Sequence, residues 1–260
     1  MSANWDDLKP RVLSGIAMIA VGLIAVWLGG LVFQLLIAVI TGLMVWELVR
    51  MLDPARKTEA LILAGITALV SMLAMHLPPA VTLPLLLAPS MVGLGRMGRG
   101  GVTYGVFTAL ILLAGFGMMS LRGEFGLVWM LWLVLVVVVT DVAGYFAGRM
   151  IGGPKFWPRV SPKKTWSGTV AGWIAAAIVG VIFAQWTIAG TGLAGVSIAV
   201  SMASQLGDIA ESAIKRRAGV KDSSTLIPGH GGLLDRFDGM LGASVFLVIA
   251  GQIIGFPPGV

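Results

Sequence analysis

Nine stretches in which apolar side chains follow one another with almost no polar interruption divide this chain: residues 12–29, 31–48, 60–77, 80–95, 101–121, 126–148, 168–189, 191–210 and 239–256. Each is close to the roughly 20 residues that an α-helix needs to cross a hydrocarbon core about 30 Å thick. A backbone inside lipid must satisfy its own hydrogen bonds, so uninterrupted runs of this length predict helices rather than strands. The expected fold class is therefore all-α: a polytopic integral membrane protein with about nine transmembrane helices. Gly29-Gly30 and Pro78-Pro79 mark tight connections. The run 80–95 is short and holds Pro84 and Pro89, which predicts a tilted, broken or re-entrant span.

The polar positions add orientation. When the connections of the nine-span pattern are numbered alternately, 17 of the 18 Lys and Arg residues fall on one side, and Arg122 alone falls on the other. By the positive-inside rule that side is the cytoplasm, so the N-terminus is expected inside and the C-terminus outside. Asp6 and Asp7 precede Lys9 and Arg11, and the run that follows is too long for a signal-peptide core, which predicts a retained first span. Only 12% of residues are charged, against roughly 25% in soluble domains. The pattern reads as a single membrane domain over 1–260, with scaffold spans in 1–125 and the catalytic spans and polar loops in 126–260. The net charge of +6 belongs to span ends rather than to a nucleic-acid face. With no cysteine in the chain, disulfides, thiolate metal sites and a cysteine nucleophile are excluded.

Three polar constellations lie on the basic side. One ends the sixth span, where Asp141, Tyr145 and Arg149 share a helix face. A carboxylate at the bilayer centre costs about 2.5–3.5 kcal/mol, which marks Asp141 as functional or as half of a helix–helix ion pair. The second is the loop holding Ser161, Lys163, Lys164 and Thr165 just before a helix, where cations and helix N–H groups suit an anion. Its plainer reading is a topogenic basic loop with Trp157 and Trp166 as interfacial anchors. The third is the densest. Asp208, Glu211, Ser212 and Lys215 form a stripe at i, i+3, i+4 and i+7, followed by Arg216, Lys221, Asp222, His230, Gly231, Gly232, Asp235, Arg236 and Asp238. Aspartates from separate segments suit Mg²⁺, and lysine, arginine and glycine backbone suit phosphates.

Two glycine patterns are set aside. Gly93 to Gly98 fits GxGxxG but follows a membrane span rather than a strand, and Gly148 to Lys155 places Pro154 where a P-loop needs lysine. His76, beside Leu77-Pro78-Pro79 on the outer side, reads as interfacial.

The segment from Ser212 to Asp238 resembles the signature of the phosphatidate cytidylyltransferase (CDP-diacylglycerol synthase) family. The resemblance is carried by Ser212, Ile214, Lys215, Arg216, Lys221, Asp222, Ser224, Ile227, Pro228, His230, Gly231, Gly232, Leu233, Asp235, Arg236, Phe237 and Asp238. Residues 141–149 and 161–168 are similar to the family's other polar segments, with Ser167 where many relatives carry Glu. The resemblance implies transfer of a cytidylyl group from CTP to phosphatidate, with release of pyrophosphate. It implies catalytic roles for Lys215, Arg216, Lys221, Asp222, His230 and Arg236. Substrate contacts are implied for Ser161, Lys163, Lys164, Thr165, Ser212, Gly231 and Gly232. Asp208, Asp235, Asp238 and Asp141 are the implied ligands of Mg²⁺, with a second metal ion as an option. Membrane lipid and a homodimer are the further partners that the family suggests, in a bacterial inner membrane with the site facing the cytoplasm. The rival classes are an anion or lipid transporter, which needs polar groups on both membrane faces, and a CTP- or ATP-dependent lipid kinase.

Overall fold

The computed structural model describes residues 8–258. Nine α-helices carry the described chain: α1 (Leu8–Leu28), α2 (Gly30–Leu52), α3 (Lys57–Ala74), α4 (Pro79–Arg96), α5 (Gly101–Glu124), α6 (Leu127–Met150), α7 (Trp166–Phe183), α8 (Leu193–Arg217) and α9 (Leu234–Ile254). Eight are long and apolar enough to cross a membrane, and Ala80–Arg96 is a shorter apolar helix. The all-helical polytopic class is thus the one adopted. Helix α4 runs on through Pro84 and Pro89 without a break. The one addition to the all-helical expectation is a short antiparallel hairpin of β1 (Lys155–Trp157) and β2 (Ser161–Thr165), set in the basic loop ahead of α7. Asp6 and Asp7 lie outside the described residues.

The chain forms two compact units. The first runs from the start of the described chain to Met119 and takes in Arg217–Phe237; the second is Ser120–Arg216 with the segment from Asp238 onward.

In the first unit α2 is the central helix: 61% of its span is buried, against 11% for α1. Val45, Leu48 and Val49 are fully enclosed. Small residues let α2 and α3 approach, since a Cβ on Gly42 would meet the Ala64 carbonyl oxygen at 2.9 Å. A Thr41–Ser71 hydroxyl hydrogen bond of 3.0 Å joins the same pair. Tyr104 of α5 is fully buried against Gly93, the first glycine of the GxGxxG pattern set aside above, where any side chain would overlap its ring. Its hydroxyl donates to the Pro89 carbonyl of α4 at 3.3 Å. Gly93 is therefore a packing glycine. In the α2–α3 turn, Arg56 Nε lies 2.9 Å from an Asp53 oxygen and holds that carboxyl below its ordinary range.

In the second unit α8 runs beside both α6 and α7. Trp132 Nε1 donates to Ser197 Oγ at 2.9 Å, Thr140 Oγ1 to Ser201 Oγ at 2.8 Å, and Trp173 Nε1 to Gln205 Oε1 at 3.0 Å. These bonds use α8's small polar residues, which a hydropathy profile counts as weakening the span. Glycines close the other contacts: Gly144 meets Gly168 between α6 and α7, and Gly207 meets Gly242 between α8 and α9.

Candidate active site

Within the second unit, the polar ends of α6, the β1–β2 hairpin, α7 and α8 enclose a cavity of about 590 Å³. Arg149, Lys155, Lys163 and Lys164 supply its positive charge, Asp141 and Asp208 its negative charge, and Gln205, Thr140, Thr165 and Thr169 its neutral polar lining. The local sequence explains the wall. Gly152 and Gly153 take positive φ values of 67° and 105°, which turn the chain sharply after α6. The hairpin follows, and Thr165 caps α7 by accepting the Gly168 N–H at 3.3 Å. Ser167, where a Glu is common in the resembling family, donates its hydroxyl to the Gly152 carbonyl at 2.5 Å and ties the turn to the start of α7.

Lys164 Nζ lies 2.5 Å from Asp208 Oδ2, with both side chains about three-quarters buried (25% and 26% exposed). Ser212 Oγ donates to the other Asp208 oxygen at 3.3 Å. One turn further along α8, Lys215 pairs with the fully buried Glu211 at 2.6 Å. The Gly207–Gly242 contact holds the α8 and α9 backbones together. The Asp238 carboxylate then feels the charges of Asp208, Asp141 and Lys215. Three of the four aspartates read as metal ligands are thus neighbours. Among the described residues no three His, Cys, Asp or Glu side chains form a cluster that could hold a metal ion alone. Mg²⁺ commonly uses one or two carboxylates and completes its shell with substrate phosphates and water. Asp208 and Asp238 beside a basic cavity are a donor set that fits such an ion. Ser161 opens β2, pairing with Trp157, and does not line the cavity. Arg216 is exposed on the last turn of α8.

The first unit holds the glycine loop, and two carboxylates fold it. Glu47 of α2 is fully buried and accepts four hydrogen bonds. Ser224 Oγ and Leu233 N donate to Oε1 at 2.6 and 2.8 Å; Leu234 N donates to Oε2 at 2.7 Å, and Ser223 Oγ, 3.2 Å from Oε2, shares its one proton between that oxygen and Asp235. The two N–H groups belong to the start of α9, so a side chain from α2 caps that helix. Asp235 Oδ2 accepts from Ser223 N, Ser223 Oγ and Gly232 N at 2.8, 2.9 and 2.8 Å. That oxygen thus helps to fold the loop. Gly232 has to lack a side chain because a Cβ would overlap Ser223 Oγ and Glu47 Oε1. Gly231 takes φ 79°, with Asp235 Oδ2 2.8 Å from where its Cβ would stand. The glycines are thus required by close packing against carboxylates, whatever else approaches them.

His230 is held on both sides. Its Nδ1 is 2.9 Å from Ser14 Oγ of α1, and its carbonyl accepts from Arg236 Nε at 2.9 Å. Lys221, Asp222 and Arg236 are exposed on the loop's outer edge. Sequence reasoning missed Glu47, Ser14 and Ser223. For Glu47 a signal existed, since it is the one acidic residue near the end of an otherwise apolar run, and an ionisable group there is a functional pointer by itself. For Ser14 no signal exists in the sequence.

Comparison with known proteins spans these same segments. The Cytidylyltransferase family model matches residues 9–254. A Brucella suis biovar 1 protein named phosphatidate cytidylyltransferase is 37% identical, over 97% of this chain and 96% of its own length. Proteins of the same name from Staphylococcus saprophyticus and Bacillus subtilis are 35% and 32% identical, over 90% and 93% of this chain and 95% and 96% of their own lengths. The match takes in the membrane helices, the basic cavity and the carboxylate-folded loop alike, and the chain belongs to the cytidylyltransferase family.

Proposed function

We propose that this protein transfers the cytidylyl group of CTP to phosphatidate, forming CDP-diacylglycerol and pyrophosphate on the cytoplasmic side of a bacterial inner membrane. The observation that carries the reading is full-length likeness to relatives of that name, joined to a basic, carboxylate-bearing cavity built into membrane helices.

The cavity suits that chemistry. A phosphomonoester has a second pKa near 6 and is largely dianionic at pH 7, so its oxygen needs no strong base before attacking the α-phosphorus. The difficulty is bringing two polyanions together. Lys155, Lys163, Lys164 and Arg149, gathered round one cavity, oppose that repulsion. Lys164, already fixed by Asp208, meets phosphate oxygens without first having to be ordered. As the phosphatidate oxygen bonds to the α-phosphorus, the bond to the bridging oxygen breaks and pyrophosphate leaves with the electron pair. One in-line displacement of this kind inverts configuration at phosphorus. Asp208 and Asp238, together with Asp141 of the cavity wall, would hold Mg²⁺, which supplies charge neutralisation and alignment of the phosphates. Lys221, Asp222, His230 and Arg236 enter the proposal through the family signature, with His230 as a phosphate-contacting or loop-ordering group rather than a nucleophile.

An apolar groove of about 510 Å³ gives the lipid tail a place. On α7 it is lined by Val170, Trp173, Ile174, Ala177, Ile178, Val181 and Ile182, and on α8 by Ile198. Val170 adjoins Thr169, and Gln205 lies two turns along α8 from Ile198; both Thr169 and Gln205 line the polar cavity. The groove on these two helices therefore leads toward the phosphate-binding end.

The test is incubation of the detergent-solubilised protein with phosphatidate, α-labelled CTP and Mg²⁺, followed by identification of products. Label in CDP-diacylglycerol with equimolar pyrophosphate is expected. Transfer of only the γ-phosphate would identify a lipid kinase, and a process seen only in sealed vesicles would identify a transporter.

A further inference from the structure

We infer that Glu47, far from the signature in sequence, is the positioning residue that holds the loop 221–233 in its working shape. The inference rests on the proposed cytidylyl transfer for its kinetic arm and on geometry alone for its structural arm. Glu47 lies on α2, 187 residues before the last group it binds. It is not among the residues that line the basic cavity, and its own hydrogen bonds all go to the loop and the start of α9. It instead gathers the loop's two ends, Ser223 and Ser224 at one side and Leu233 and Leu234 at the other. Asp235 reinforces the same closure through Ser223 and Gly232.

This arrangement reassigns the donors of the loop. The start of α9 would ordinarily be an anion site, but Glu47 already fills it from within the protein. Its inward N–H groups are thus satisfied before substrate arrives, and the loop presents Lys221 and Arg236 from its outer edge. The carboxylate cannot be replaced by an amide. Each Glu47 oxygen faces one hydroxyl and one backbone N–H. The serine hydroxyls could rotate to accept a hydrogen bond, whereas the backbone N–H groups of Leu233 and Leu234 cannot. Whichever way a glutamine amide were turned, its NH₂ would confront one of them and leave a buried donor without an acceptor.

The experiment compares the full-length protein with Glu47→Gln, Glu47→Asp and Ser224→Ala in detergent. Hydrogen–deuterium exchange of peptides covering 221–234 is read beside kcat and KM for CTP. In Glu47→Gln, amides 232–234 should exchange at least about tenfold faster, matching loss of one buried hydrogen bond, while amides of α6 and α7 keep their rates. The kcat should fall by about tenfold or more with KM for CTP changing far less, as expected when a loop is populated in its competent form only part of the time. Ser224→Ala, which leaves both backbone bonds in place, should shift both readouts in the same direction by less. Glu47→Asp should recover part of the activity that the amide loses. Unchanged exchange in 221–234 for Glu47→Gln would overturn the inference, as would a loss confined to KM. Should Glu47→Gln fail to fold, Ser224→Ala carries the test by the same criteria. If the wild-type protein proved inactive with CTP and phosphatidate, the function would fall while the exchange arm still decided the role of Glu47.

Discussion

Lys164 shows how a single side chain separates the two readings of the basic loop. As a topogenic charge it would be one of 17 on its side, and its loss would barely matter. Its ammonium, however, sits on Asp208 in the cavity wall, partly shielded from water. Lys164→Met should therefore lower kcat/KM by about 10²–10³-fold, the usual loss when one preorganised donor to a developing charge is removed. Membrane insertion and yield should be unchanged. Initial rates at saturating phosphatidate check this, and wild-type kinetics would return Lys164 to a purely topological role. Other residues were less legible. The carboxylates of Asp141, Asp208 and Asp238 stand out in the sequence because charge near lipid is expensive. Glu47 is marked by the same rule as an acid in an apolar run, but its role is not, and Ser14 carries no mark at all: their partners lie 176–187 and 214–216 residues away, and no local spacing encodes such contacts.

At the scale of elements, the long helices follow directly from apolar runs, and their ends shift by a few residues. The clearest extension is α8, which continues to Arg217 beyond its hydrophobic stretch and carries the Asp208–Lys215 stripe. The β1–β2 hairpin was not legible. Its strands have three and five residues, rich in Lys and Pro, and show no apolar–polar alternation. What fixes the hairpin is the pair of left-handed glycines before it and the capped helix after it. The α7 groove offers a test at this scale. From Val170 to Ile182 it extends about 18 Å along the helix, enough to matter to a long acyl chain and little to a short one. Ala177→Trp should fill it and raise KM several-fold for long-chain phosphatidate while leaving a short-chain analogue unaffected. An equal effect on both, or none, would remove the groove from substrate binding.

For the molecule as a whole, charge asymmetry remains the source of the proposed orientation. Because the chain has no cysteine, single-cysteine reporters need no background removal. Lys57→Cys and Arg159→Cys should label with an impermeant maleimide only from the cytoplasmic face, and Arg122→Cys only from the opposite face. Labelling of all three from one side would overturn the nine-span orientation. The division of the chain into two units was not open to sequence reasoning, because the assignment of Arg217–Phe237 to the first unit depends on contacts made by Glu47 and Ser14. Hydropathy reports which segments prefer lipid and carries no information on which distant helix a loop returns to.

The capping of α9 by Glu47 also has a consequence for biogenesis. During synthesis α2 enters the bilayer long before Leu233 and Leu234 have been made. Until the last helix arrives, the Glu47 side chain lacks the four donors that later surround it. A charge at the centre of a spanning helix costs about 2.5–3.5 kcal/mol, and one near a helix end, as Glu47 is in α2, costs less. The growing protein must let that group reach toward the interface or shelter it against other early helices. Release from this condition comes only when α9 docks. The same hydrogen bonds that order the loop thus also mark completion, and a nascent chain halted before α9 would carry a buried acid exposed to whatever surveys unassembled membrane proteins.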